Sequence, residues 1–428
     1  MIQKDILLIA HPEKHVYSHK SQAFLLATIF SVAFLFISNV AYGCTDLPPL
    51  PGDSIYVQNV SELNQAITTA NNTGNRTIAL ASGTYELTDP LAITGANITI
   101  RGASGNRDDV ILTGGGMNQD AIWQIFMVFA DNCTIADMTM GWVATHAIQV
   151  HGENDADNLL VHNVHILDTY EQMIKGSWGN DDNMSANDAI IECSLFEYSD
   201  KIGPQYYIGG IDVHHGKDWI VRENTFKYIR SPNQDRLAEF AIHFWNSSEG
   251  TTVEKNTIIN CDRGIGFGMA ESSHIGGIIK NNFIYGDSTN KDVGIALESA
   301  TDSKVYNNTI FQEHDYHYAI EFRFATTSGL IIRNNLANRA IAARDNEAQG
   351  ELSHNITNAQ SSWFTNPAIG DLHLANNSLD MIIDQAIKVQ DVNDDFDGNT
   401  RGILSDIGAD EYNKSLLLLL TPSIISNK

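Results

Sequence analysis

Cysteine is scarce in this 428-residue chain: there are four, none paired at metal-ligand spacing and too few for a disulfide framework. Cys133, Cys193 and Cys261 read as single buried thiols, and Cys44 stands apart near the N-terminus. Positive charge is also thin, with 26 Lys and Arg against 52 Asp and Glu and a formal net charge of −26. Such a field repels phosphate backbones, which excludes nucleic acid as a partner unless a local patch reverses the sign. Long apolar runs are missing apart from Ala23 to Ile37, which is short for a membrane span. With 43 % hydrophobic residues the chain nevertheless has ample material for a large core.

That apolar run follows His19 and Lys20, and Ala41-Tyr42-Gly43 then offers small residues at the two positions a signal peptidase inspects. Residues 1–43 therefore read as an export signal that is removed, 44–412 as one domain, and 413–428 as a tail whose apolar stretch Leu416 to Leu420 is unexplained. The expected location is secreted or periplasmic, as a monomer with no membrane contact once the signal is gone. Cys44, directly after the cut, leaves a lipoprotein as the lesser alternative.

Internal repeats decide the architecture. The pattern Val-x-x-Asn-x-apolar occurs with its Asn at 224, 256, 282, 308 and 335, in steps of 32, 26, 26 and 27, and Ser194 holds the place one coil earlier. Such steps match one rung of a parallel β-helix, in which neighbouring coils bury each other's apolar faces. Asn stacked at a tight bend tolerates left-handed backbone and can bond the next rung's amide. A second column agrees: Ile148, Ile211, Ile242, Ile265, Ile295, Ile320 and Ile341 each follow a small residue and precede an outward one. The predicted fold is an all-β right-handed parallel solenoid. Val60, Leu63, Ala66, Ile67 and Ala70, at helical spacing behind a candidate N-cap at Ser61, predict a helix that plugs its open end. That N-terminal cap spans about residues 55–80, and residues 358–412 read as a C-terminal cap. Residues 391–398 have the look of a calcium loop without its closing Glu and read as a structural turn.

An extended polymer would lie along an outer wall, so the outward columns matter most. One carries Gln149, Asp212, His243 and Glu321; the next, two residues further along each strand, carries His151, His214, Trp245, Glu298, Arg323 and Arg344. The last three read as ion-pairing residues. Gln172-Met-Ile-Lys175 aligns with Lys175 between His151 and His214, which would stack three basic groups about 4.8 Å apart and depress the lysine's pKa toward that of a general base. Lys175, His151, His214, His243 and Arg263 are thus the candidate catalytic groups. Gln149, Gln172, Trp245, Arg222 and Arg230 are the candidate subsite residues, with Trp245 offering its ring to a sugar face and Arg236 flanking the same region. A cationic cluster on an acidic protein suits a uronic-acid polymer, whose cleavage by β-elimination needs a neutralised carboxylate and removal of the C5 proton. A hydrolase would need two carboxyl groups at matched separation, and the column's Asp212 and Glu321 lie several rungs apart. A C5-epimerase shares the first half of elimination, and a non-catalytic carbohydrate-binding or surface protein is the alternative of a different class.

Gly83-Thr-Tyr85, Ile98-Thr-Ile-Arg-Gly102, the Asn ladder and Gly210-Ile-Asp-Val-His-His-Gly216 together resemble the pectate-lyase-like right-handed parallel β-helix proteins, which include polysaccharide lyases, epimerases and hydrolases. The resemblance implies an acidic polysaccharide as substrate and matches Asp212 to a calcium-binding aspartate. Arg230-Ser-Pro232 is similar to the element holding the family's catalytic arginine, but comes only 18 residues after Asp212, and no clustered acidic ligands stand beside Asp212 in the sequence.

Overall fold

A strand that alternates apolar and polar residues has one face it cannot leave in water, and this chain has such a strand at every repeat. The computed structural model describes residues 44–412 apart from 119, 180, 234, 290 and 376–378; residues 1–43, expected to be an export signal, and the 413–428 tail lie outside the described residues. The strands stack in about 11 turns, forming a 20-stranded and a 10-stranded sheet. Pairing between rungs is parallel: Val221 lies opposite Val253, then Ile279, Val305 and Ile332. On the 10-stranded wall the inward column runs Ile148, Ile174, Ile211, Ile242, Ile265, Ile295, Ile320 and Ile341. These side chains belong to one continuous buried core.

The Asn ladder forms at the bend within the 20-stranded sheet. Each Oδ1 accepts from the backbone N–H and side-chain amide of the Asn one rung earlier: Asn282 serves Asn256 at 2.9 and 3.0 Å, and Asn308 serves Asn282 at 3.1 and 2.9 Å. Asn355 extends the ladder one rung beyond the copies visible in the repeat. The left-handed backbone falls one residue earlier than expected, on Glu223, Lys255, Asn281, Asn307 and Asn334. The ladder Asn is thus chosen for its side-chain bonds alone.

The N-terminal helix spans Val60–Thr73 and buries Leu63, Ala66, Ile67 and Ala70. Its cap is Asn59 rather than Ser61: the Asn59 side chain accepts from the Glu62 N–H, and Glu62 bonds back to Asn59 and Gln58. Residues 358–412 do more than cover the last rung. Phe364, Leu372, Leu374, Ile382 and Ile407 pack on the outward side chains Ile259, Phe283, Tyr285 and Phe311 of successive rungs, so this segment runs back along the solenoid's flank. Lys255 and Asn281 both hold Asp394, within the 391–398 turn.

Cys44 and Cys193 form a disulfide. This corrects the reading of Cys193 as a lone thiol. Arg101 also holds this N-terminal stretch, donating to the Pro48 carbonyl at 2.8 Å. Cys133 and Cys261 are free and buried as expected, and burial pushes their thiols up to about 11 and about 12.

Two outcomes follow for stability. Asn282→Ala strips a buried donor and acceptor pair from the middle of the ladder, so the urea midpoint should fall by the equivalent of about 1–3 kcal/mol; a change near zero would make the ladder incidental to stability. In the flanking segment, burial works against the His373 imidazolium, but Asp371 at 2.6 Å and Asp397 at 3.2 Å outweigh it and push the ring up to about 10. A raised pKa stabilises fully below the ordinary value of 6.5 and the contribution disappears as the pH climbs toward 10. Unfolding midpoints measured from pH 6 to 10 should therefore decline more steeply in the wild type than in His373→Gln; parallel declines would contradict the assignment.

Candidate active site

Register determines which outward side chains meet. On the 10-stranded wall Lys175 lies opposite Gln149 on one side and Asp212 on the other, Asp212 opposite His243, and His214 opposite Trp245. Ser177, not Lys175, lies opposite His151. The alignment that put Lys175 between His151 and His214 was therefore two residues out. Ile174 joins the inward Ile column, and the next residue must face outward beside Asp212.

Asp212 is the centre of the cluster. Only 2 % of it is exposed, yet one carboxylate oxygen accepts from the Trp245 indole at 2.8 Å and the other from the Lys175 ammonium. His243 Nδ1 lies 3.3 Å away and His214 Nε2 3.6 Å away. Burial alone would raise this carboxyl, but the Lys175 charge and the two imidazoles hold it well below the usual carboxylate range. The converse holds for Lys175: burial opposes its charge, and the adjoining Asp212 carboxylate overrides burial and lifts the ammonium above its ordinary range. The expected depression by stacked cations is thus reversed, because the register delivers a carboxylate as the lysine's neighbour.

Lys175 Nζ is 2.8 Å from His214 Nε2, and the other nitrogen of that ring faces the Asn246 side-chain amide at 3.0 Å. The Asn246 Nδ2 amide can only donate, so Nδ1 is the acceptor in that contact. His214 tilts against Trp245 at 4.4 Å, and Trp245 lies parallel to His243 at 5.5 Å. His243 is held from its far side by the Gly268 carbonyl, 3.2 Å from Nε2. Gly268 has φ +72 and no room for a side chain, since a Cβ would sit 1.7 Å from the Glu298 carbonyl oxygen. The acceptor that orients His243 therefore depends on glycine.

Beside this cluster opens a cleft of about 450 Å³ lined by Tyr206, Asp235, Arg236, Leu237, Glu239, Phe240, His243, Arg263 and Met269. Arg236 lies flat on the Tyr206 ring, its guanidinium carbon 3.5 Å from the centroid. Arg263 reaches the cleft but pairs with Asp292 at 2.9 Å. Beyond His243 the outward column continues with Gly266 and Ala296, the latter packed with Phe240 and Val293 and against Tyr316 and Tyr318, so an aromatic wall ends the polar part of the groove.

Several expected residues are not brought together. His151 stacks on Phe129 and bonds Glu153 at 2.8 Å, one rung short of the cluster. Gln149 accepts from Gln124. Gln172 is fully buried and donates to Glu239 at 3.0 Å, so it cannot touch a polymer and instead supports the site from behind. Arg222 lies on the other sheet, paired with Glu192 at 2.6 Å. Arg230 lies between strands, 4.0 Å from Asp262. Trp245 keeps its place, but its N–H is committed to Asp212. The ion pairs of Arg323 with Glu298 and of Arg344 with Glu321 form as expected.

Sequence reasoning missed Glu239 and Tyr207. Both precede a strand, outside the alternation that flagged the other residues, although the Tyr206-Tyr207 pair was a visible aromatic signal. Burial and the Asp212 charge raise the Glu239 carboxyl. Burial likewise raises the Tyr207 phenol, against the pull of Lys175. His146 was also missed: it bonds the Gln172 carbonyl at 2.7 Å and burial pushes it down to about 4.

Calcium, implied for Asp212 by the resemblance, does not fit these residues. The ion takes about six to eight oxygen ligands, whereas among the His, Cys, Asp and Glu side chains of the described residues Asp212 is grouped with Glu239 and the nitrogen of His243 within 4.8 Å. The cation facing Asp212 is the Lys175 ammonium.

A family model described as right handed beta helix region matches residues 209–384. Among solved structures, the pectate lyase Pel9A is similar at a TM-score of 0.55 and 14 % identity, over 81 % of this chain and 90 % of that one. An alginate lyase from Paenibacillus sp. str. FPU-7 gives a TM-score of 0.48 at 15 % identity, over 71 % and 99 %. PfbA, a surface adhesin of Streptococcus pneumoniae, gives 0.45 at 15 %, over 68 % and 86 %. No curated protein matches the sequence. At these identities the likeness is one of fold, and the chain has the pectate-lyase-like right-handed parallel β-helix fold.

Proposed function

We propose that this protein is an exported polysaccharide lyase that cleaves a uronic-acid polymer by β-elimination in the groove beside Lys175 and His214. The observation that carries this reading is the 2.8 Å contact between Lys175 Nζ and His214 Nε2 on the buried Asp212 carboxylate, whose neighbours His243 and Glu239 line an open cleft. Lys175 and His214 act as one unit, its positive charge balanced by Asp212. This unit is the acceptor for the C5 proton. The same charge would neutralise a uronate carboxylate, and Arg236, stacked on Tyr206, would add to it at the edge of the cleft. Asp212 is a positioning residue in this account, since almost none of it is exposed. Its burial and its pairing with Lys175 also argue against a hydrolase built on Asp212 and Glu239, because the first carboxylate cannot meet a sugar.

The Cys44–Cys193 disulfide supports export, as such bonds persist in oxidising compartments. Among the described residues no helix is long and apolar enough to cross a membrane.

The purified protein, given pectate, alginate, hyaluronate or chondroitin, should generate absorbance near 230 nm from an unsaturated product on at least one of them. Lys175→Ala and His214→Ala should each lower that rate by about 10²-fold or more, while Arg222→Ala, on the opposite sheet, should leave it unchanged. New reducing ends without absorbance would replace the lyase by a hydrolase, and no product from any polymer would remove the enzymatic reading.

A further inference from the structure

Resting on the lyase reading, and going one step further in it, we infer that Glu239 is the catalytic acid that protonates the departing C4 oxygen. Elimination has two proton demands, and the Lys175–His214 pair answers only the first. The second needs a protonated group that faces the cleft and lies close to the base without joining its ion pair. Glu239 is that group. It lines the cleft, whereas Asp212 lies buried behind it. The carboxyl oxygens of Glu239 and Asp212 and a ring nitrogen of His243 come within 4.8 Å of one another.

Its position is fixed from behind by the fully buried Gln172, whose amide donates to Glu239 Oε2 at 3.0 Å. The charged and titratable groups around Glu239 are Asp212, Lys175, His243 and Tyr207, with Asp235, Arg236 and Arg263 across the cleft. Burial and then the Asp212 charge raise this carboxyl, and His243, the Gln172 amide and Lys175 pull against them less strongly. Two neighbouring carboxyls whose pKa values are driven in opposite directions form an arrangement suited to acid–base chemistry.

The C5–H bond breaks and its proton passes to the Lys175–His214 pair; the electron pair left on C5 forms the C4–C5 double bond; the C4–O4 bond breaks, and O4 takes the proton of Glu239. The pair then releases its proton to water and Glu239 regains one from water, so the enzyme ends in its starting state.

Glu239→Gln preserves size and the contact with Gln172 while removing the acid. In heavy water, with the polymer that the wild type cleaves, the variant should lose about 10²-fold or more in kcat with KM little changed. It should still exchange the C5 hydrogen for deuterium, read by NMR of the recovered polymer, because proton removal remains intact. Lys175→Ala should lose exchange and cleavage together. A Glu239→Gln variant that cleaves at the wild-type rate, or that loses exchange along with cleavage while keeping its thermal midpoint, would overturn the assignment. If the wild type itself yields neither unsaturated product nor exchange, the failure lies with the lyase reading and takes this assignment with it.

Discussion

A carboxylate that is 2 % exposed must be answered by positive charge and hydrogen-bond donors, and around Asp212 that demand organises everything nearby. Lys175 is drawn inward, the Trp245 indole turns its N–H back toward the wall, and both His214 and His243 come to within 3.6 Å. Each of these side chains comes from a different rung or a different step along a rung. They converge because parallel stacking fixes Lys175, Asp212 and His243 as direct neighbours in one outward column. The solenoid therefore does for this cluster what packed loops do on other folds: it sets spacing, and the buried charge sets orientation.

That constraint separates two roles that a list of polar residues would merge. Asp212, Gln172 and His146 are buried and hold others in place, whereas His214, Glu239, Tyr207 and Arg236 border solvent or the cleft. The aromatic wall beyond His243, where Phe240 packs over Gly266 and against Ala296, interrupts the polar outward column ahead of Glu321. The face on the opposite sheet carries Arg222 between Glu192 and Glu254 in a ladder of alternating charge.

The architecture was legible because its signals are periodic. The Asn spacing and the Ile column each repeat often enough that no single position matters, and both appear as read, with Asn355 as an extra rung. The site was legible only in part. His214, His243, Lys175 and Asp212 were found because they stand on the repeating strands, but a two-residue slip at Lys175 changed its neighbour from imidazole to carboxylate and so reversed the direction of its pKa. Glu239 and Tyr207 lie just ahead of their strands, where no periodicity assigns a face. Arg222 shares its sequence neighbourhood with the cluster yet sits on the other sheet, since one coil spans both walls. The pairing of Cys44 with Cys193, 149 residues apart, left no local trace at all.

The central claim is that Lys175 and Asp212 exist as a buried ion pair and not as two independent surface groups. A double-mutant cycle on unfolding free energy, with Lys175→Met, Asp212→Asn and both together, measures this directly. Each single change should cost about 3–5 kcal/mol by stranding its partner, and the double variant should recover a large part of that loss. Losses that simply add, or single variants as stable as the wild type, would contradict the pair and the site built around it.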